Sequence, residues 1–264
     1  MESSFAPRKL HCHINYCHFG GKEKSKLAKK CIESWRRICP SYKIVEWNES
    51  NFDINSSQYS RQAYSKGQFA FVADYARLKI MRDMGGIYLD TDVELIRPID
   101  DLLRYRFWAA TENPSGNLIC IGLGCGAEAK HEFFQNMLAA YDRIPFIGSD
   151  GKYDRTTGPL RNTEFFRTFF NGDPHITNVL EVNGNLFLPR DWFAPLDPLS
   201  GFLLNKTDNT RGIHWGAMSW CTEQEIKAFR KRRWRRRAFV LLGKVIGMSR
   251  LSNIVAFLKR IYSK

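Results

Sequence analysis

An α/β domain is the fold class that the sequence predicts, on three observations. A helical run of apolar residues at 70–84 stops at Gly85-Gly86, and a short apolar run, Ile87-Tyr88-Leu89, follows at once and leads into Asp90. Strand patterns at 107–111 and 118–123 are then followed by a helical pattern at 131–141, and such interleaving buries a sheet between helices. The chain has 264 residues, 44% of them apolar, which is enough to fill a substantial core.

Element by element, Leu27, Ala28, Cys31, Ile32 and Trp35 recur at helical spacing, and Pro40 stops the pattern. Tyr42, Ile44, Val45 and Trp47 predict a strand, and 48–57 is rich in turn formers. Within 70–84, Phe71, Val72, Tyr75, Ala76, Leu78, Ile80 and Met81 leave little room for a polar face, so that helix is expected to be buried on more than one side. Ile87 to Leu89 then predicts a buried strand whose C-terminal end opens into a polar site. No repeat or low-complexity linker precedes the basic tail, so a single domain over 1–220 and a tail over 221–264 are expected.

Charge separates these two parts. The formal charge is +13, but Cys221–Lys264 holds 13 Lys and Arg against Glu223 and Glu225 alone, so the first 220 residues are close to neutral. A globular nucleic-acid binder would spread that charge over its domain, and none is expected. Seven cysteines at irregular spacing, without a Cys-x-x-Cys pair, argue against a disulfide framework or a structural zinc. The start of the chain shows no charged segment followed by an apolar one, which points to a reducing, cytoplasmic setting. No uncharged apolar run reaches eighteen residues, so an ordinary transmembrane helix is not expected.

The chemistry concentrates in Leu89-Asp90-Thr91-Asp92. Two carboxylates one residue apart at a strand end can address one hard cation, Mn²⁺ or Mg²⁺, because the intervening turn brings their oxygens to the same side. An ion there would bridge diphosphate oxygens and neutralise charge on a leaving nucleoside diphosphate. An isolated Asp-x-Asp is also a common acidic turn, so its neighbours decide the reading.

Those neighbours resemble a known family. Ala73-Asp74-Tyr75-Ala76-Arg77, Gly85-Gly86-Ile87-Tyr88-Leu89-Asp90-Thr91-Asp92 and Pro98-Ile99-Asp100-Asp101-Leu102 are similar to the sugar-binding region of glycosyltransferase family thirty-two. That family of retaining transferases includes capsule and lipopolysaccharide enzymes, yeast initiating mannosyltransferases and the catalytic domains of glucosylating toxins. Weaker similarity extends upstream through Asn15 to Lys22 and Trp35, and downstream to His214, Ser219 and Trp220. The resemblance implies a GT-A fold with a mixed central sheet, a nucleotide-sugar donor and a glycan acceptor. By matched position, Asp74 and Arg77 would contact donor sugar hydroxyls, ribose or diphosphate. Asp92 would ligate the metal, and Asp90 would reach the ribose and a metal-bound water. Carboxylates accept hydroxyl protons and arginine offers a rigid fork of donors, which suits these roles. An intrahelical Asp74–Arg77 pair on a solvated face is the structural alternative.

Four further residues complete the expected site. His214 would join Asp90 and Asp92 as a metal ligand, Trp220 would donate its indole N–H to the β-phosphate, and Tyr16 with His18 would meet the donor's base. Relatives carry tryptophan where this chain has His18, a smaller stacking surface, so UDP is only mildly favoured over GDP. Core packing is the expected role of Trp215. Gly20-Gly21 and 122–126 lack the lysine and hydroxyl of a Walker loop and read as turns, and Cys125 with His131 has nothing to orient it as a nucleophile pair.

From Arg230 the tail runs Arg-Lys-Arg-Arg-Trp-Arg-Arg-Arg and then turns apolar. Phe239, Leu242, Val245, Ile246, Ile254, Leu258 and Ile261 are expected to form the insertion face of a basic amphipathic helix on an anionic membrane. The combined expectation is a metal-dependent transferase, peripheral on the inner face of the cell membrane, that extends a lipid-linked glycan of capsule or O-antigen. Two alternatives stand beside it: a noncatalytic nucleic-acid or lipid-binding protein whose acidic turn is structural, and a toxin-like transferase acting on protein.

Overall fold

The helix expected at 27–35 is α1 (Lys26–Ile38), which follows strand β1 (His13–Cys17) in a computed structural model describing residues 10–247. The Ser25 hydroxyl accepts the Ala28 N–H and caps α1, whose buried face carries Ala28, Cys31, Ile32 and Trp35. Strand β2 (Lys43–Trp47) comes next. The turn-rich stretch after it holds a short 3₁₀ turn, Ile54–Ser56, and then an unexpected helix, α2 (Gln58–Ser65). Eight residues with three buried ones give too few apolar positions for a periodic signal, but Ser57 caps α2 by accepting the Ser60 N–H.

The long expected helix is α3 (Phe69–Met84). It ends at Gly85, whose φ is +62°, and a Cβ there would lie 2.6 Å from the Ala129 nitrogen, so only glycine fits. Strands β3 (Gly86–Tyr88), β4 (Val93–Leu95), β5 (Phe107–Thr111) and β6 (Ile119–Ala127) follow. Strand β6 outruns its expected end at 123 because three glycines hide its apolar alternation. Helices α4 (Glu132–Tyr141) and α5 (Gly158–Phe170) lead to β7 (Leu180–Val182), β8 (Asn185–Leu188) and β9 (Gly212–His214).

Seven strands form one mixed sheet in the order β2-β1-β3-β6-β5-β8-β7, and β4 pairs with β9 in a separate two-stranded ribbon. Strands β2, β1 and β3 are parallel, so their C-terminal ends share one edge. Strand β6 runs antiparallel to β3 and to β5, which brings the start of β6 and the end of β5 to that same edge. Two apolar cores cover the sheet. Tyr59, Phe71, Phe107, Phe133 and Phe166 are central to one, and Trp35, Trp108, Leu123 and Phe193 to the other.

His131 ties α4 to the sheet. Its Nδ1 accepts the Phe133 N–H at the head of α4, so the proton sits on Nε2, which donates to Asn185 Oδ1 at 3.1 Å. Burial holds its pKa below the usual 6.5, against the weaker pull of Asn185. The unfolded chain therefore takes up this proton first, and stability falls as pH drops below 6.5. Thermal unfolding between about pH 7 and pH 5 is expected to show a smaller pH-dependent loss in His131→Asn than in the unmodified chain. An equal slope in both would remove His131 from the acid response.

The chain divides into two units, where sequence patterning predicted one domain and a tail. The first comprises the chain up to Pro195 together with Asn205–Trp220. The second joins Leu196–Leu204 to the chain from Cys221 onward, so the segment 196–204 leaves the expected 1–220 domain. Local packing explains this. Arg237 and Lys244 lie over the Phe202 ring at 5.0 and 5.5 Å, and Gly201, at φ +73°, leaves room for the Arg233 guanidinium. Those arginines and Lys244 belong to α6 (Glu223–Ile246), a 24-residue helix opened by a Thr222–Glu225 capping box. Phe239 and Ile246 are only partly exposed on α6, and Arg250, Ile254, Leu258 and Ile261 lie outside the described residues.

Candidate active site

The Asp90–Asp92 turn sits at the shared C-terminal edge of the parallel strands, directly after β3. Helix α1 fixes the far side of that turn: Trp35 Nε1 donates to the Val93 carbonyl at 2.7 Å, and the Leu95 N–H donates to Ser34 Oγ at 2.9 Å. The ribbon brings in residues distant in sequence. Val93 pairs with His214, and the Trp215 N–H donates to the Asp92 carbonyl at 2.9 Å.

Asp92 and His214 therefore face each other, with Nε2 and Oδ2 3.3 Å apart. The Ala217 N–H also donates to Asp92 Oδ2, at 2.7 Å, from a turn in which Gly216 and Met218 both have positive φ. On the other side of His214, Nδ1 lies 3.8 Å from Glu112 Oε1, at the end of β5. Burial disfavours the imidazolium, but Asp92 and then Glu112 outweigh it and hold His214 up at about 9. Burial of Asp92 is likewise outweighed by His214 and the Ala217 N–H, and its carboxyl is held below the usual range.

Asp90 belongs to a different cluster. Its carboxylate accepts from Arg77 Nη2 at 3.0 Å and from the Tyr88 hydroxyl at 3.1 Å. The same Arg77 nitrogen is 3.2 Å from Asp74 Oδ1, so the i, i+3 pair exists, but it is buried rather than solvated. Asp74 also accepts the Gly158 N–H at the head of α5. A Cβ on Gly158 would lie 2.8 Å from Asp74 Oδ1, and one on Gly122 would lie 2.2 Å from Asp90 Oδ2. Gly122 sits in the stretch of β6 where the register against β5 slips, and that irregularity turns its carbonyl to the Asp90 N–H. Burial pushes Asp90 up to about 6 and raises Asp74, in each case against Arg77, whose own proton is held tightly by the two acids despite burial.

Other expected residues are placed as follows. His18 stands just past β1 at the same edge, half-buried, with Nε2 donating to the Lys22 carbonyl at 2.7 Å. Tyr16 is placed against α1. Strand alternation sends it to the α1 side, where its ring meets Trp35 edge-on and its hydroxyl donates to Glu46 at 2.6 Å, so both are committed within the protein. Trp220 is 44% exposed and its carbonyl accepts from Arg155. Trp215 packs against the Trp35 core and donates to Glu94 at 2.9 Å. Cys125 and His131 form no pair: Cys125 is fully buried in β6, and both His131 nitrogens are occupied.

Among the described residues, no three His, Cys, Asp or Glu side chains close into a complete metal cage. The chain instead offers a carboxylate and an imidazole converging from two strands, with Asp90 next to them. That donor set fits a divalent ion such as Mn²⁺ whose remaining positions are filled by phosphate oxygens and water.

Residues 25–108 match the glycosyltransferase sugar-binding region containing the DXD motif. This chain carries that region. It spans α1 to β5 and includes Asp74, Arg77, Asp90 and Asp92, whereas Glu112 and His214 lie beyond it and are placed by geometry alone, and Trp220 also lies beyond it. Over 96 residues the chain is 32% identical to inositol phosphoceramide mannosyltransferase 3 of Schizosaccharomyces pombe, a match covering 33% of this chain. It therefore spans only a quarter of that relative's length, 25%. The PaToxG glycosyltransferase superposes with a TM-score of 0.50 at 14% identity, over 62% of this chain and 72% of its own. A glycosyltransferase involved in glycosylation of the PBCV-1 major capsid gives 0.44 at 13% identity, over 84% and 98%. The DXD region stands in a mixed α/β sheet, the fold class that the sequence predicts, and the PaToxG structure shares that fold.

Sequence reasoning missed Glu112, Tyr88, Gly158 and the Ala217 N–H. Only Gly158 had a local signal, a proline directly after it where a helix begins.

Proposed function

We propose that this chain is a metal-dependent, retaining glycosyltransferase that moves a sugar from a nucleotide-sugar, UDP-linked by preference, to a glycan acceptor. The observation that carries this reading is the β4–β9 register, which sets His214 against Asp92 beside the Arg77-bridged acids of the sugar-binding region. Asp92 and His214 would hold the ion, which when bound would neutralise charge on the departing diphosphate. Asp90 would accept a ribose hydroxyl, and Asp74, fixed by Arg77 and the head of α5, a sugar hydroxyl. Arg77 would act on the donor through these two carboxylates. His214 would give up its proton to ligate, so loading would release a proton below about pH 9.

The acceptor we infer is lipid-linked, for capsule or O-antigen synthesis, with the protein peripheral on the inner face of the cell membrane. The S. pombe relative's name specifies an inositol phosphoceramide acceptor, which supports a lipid-borne one here. Hydrolysis of a panel of UDP- and GDP-sugars, with and without manganese, tests the reading. One donor is expected to be turned over only with metal. No metal-dependent binding or turnover of any donor would leave the acidic turn structural and the chain noncatalytic.

A further inference from the structure

Helix α6 has a second side. Trp234, Leu241, Leu242 and Val245 are 72%, 50%, 48% and 81% exposed, and with exposed Ala238 they recur at i, i+4, i+7, i+8 and i+11. That spacing places them on one stripe along the helix. The residues that meet Phe202 and Gly201, namely Arg233, Arg237 and Lys244, follow a different line, as does buried Val240. The stripe is thus not the side that packs on 196–204. It also differs from the face expected from sequence spacing, since Phe239 lies under Arg236 and Ile246 is half-buried.

Toward the start of α6 the same line continues through exposed Lys227, Arg230 and Lys231, and Arg235 and Arg237 border it. Along the stripe, Trp234 stands between the basic positions Lys227, Arg230 and Lys231 and the apolar ones from Ala238 onward, the position an indole takes at a membrane–water boundary. We propose that this stripe is a docking face for an anionic phospholipid surface, with α6 lying along the interface. Among the described residues no helix is long and apolar enough to cross a membrane, so the geometry is that of a helix on the bilayer. Charge selects the occupant. A second copy would set one cationic helix against another, whereas anionic headgroups complement it, each basic residue near the surface contributing about fivefold in binding. Nucleic acid would satisfy the cations but leaves Leu241, Leu242 and Val245 in water.

The inference rests on α6 alone, and the test contains no nucleotide-sugar, so its outcome is separate from that of the transfer reaction. Full-length protein is sedimented with phosphatidylglycerol/phosphatidylcholine vesicles and with phosphatidylcholine vesicles across a salt series. The expected result is at least about hundredfold preference for the anionic vesicles at low salt, with a residual bound fraction that salt does not remove. Leu241→Ser/Leu242→Ser/Val245→Ser is expected to lose that residual fraction and at least about tenfold of total binding, with helical circular dichroism unchanged. Four results overturn the proposal: triple-variant binding equal to that of the unmodified protein; complete reversal by salt; displacement from vesicles by equimolar charge of RNA; or self-association without lipid that the triple variant abolishes.

Discussion

Asp92→Asn is expected to lower metal-dependent sugar transfer by at least about 10³-fold, because it weakens the anionic ligand that pairs with His214. The substitution is isosteric, and its amide oxygen can still accept the Ala217 N–H, so the fold should survive with little change in Tm. One readout needs no turnover. The negative charge that keeps His214 at about 9 is removed, so the imidazole should titrate lower in the variant by NMR, while manganese affinity measured calorimetrically falls. Unchanged turnover, or an unmoved His214 titration, would break the assignment.

Arg77→Leu should cost roughly 3–5 kcal/mol of stability, or on the order of 10 °C in Tm, since it strands Asp74 and Asp90 without their shared cation. The loss should be largely restored by adding Asp74→Asn and Asp90→Asn, which remove the uncompensated charges; failure of that rescue would mean that Arg77 matters for packing instead. Asp74→Ala is the complementary variant. Its turnover should fall more than its affinity for free nucleoside diphosphate, because the sugar it is proposed to touch is absent from that product. Equal losses would assign Asp74 wholly to capping α5 and pairing Arg77.

The parts of this site that are legible in the sequence are those whose partners lie within a few residues. Asp90 and Asp92 stand out because a glycine pair, three apolar residues and two acids are contiguous, and that order alone specifies a helix end, a buried strand and a polar edge. Helix α3 was equally readable, since nearly every position from Phe71 to Met81 is apolar or part of the Arg77 cluster. Glu112 and the Ala217 N–H were not readable, because what makes them part of the site is the antiparallel arrangement of β3, β6 and β5 and the β4–β9 pairing. The surroundings of Tyr16 were not readable for a related reason: which side of β1 faces α1 depends on Trp35, not on anything next to Tyr16. The exposed stripe of α6 was not readable in full, because apolar spacing alone does not show that Arg236 lies over Phe239 or that Ile246 is half-buried.

The β4–β9 ribbon also sets an order of assembly. Asp92 and the amide that steadies it, that of Ala217, are separated by 125 positions, so Asp92 meets both this amide and His214 only through a long-range loop closure. During synthesis the whole sugar-binding region can leave the ribosome while Asp92 still lacks its imidazole partner. A ribosome-stalled chain ending shortly after β8 would thus hold every acid of the motif but lack the imidazole that the proposed ion site requires. Competence would arrive late and abruptly, when β9 zips onto β4.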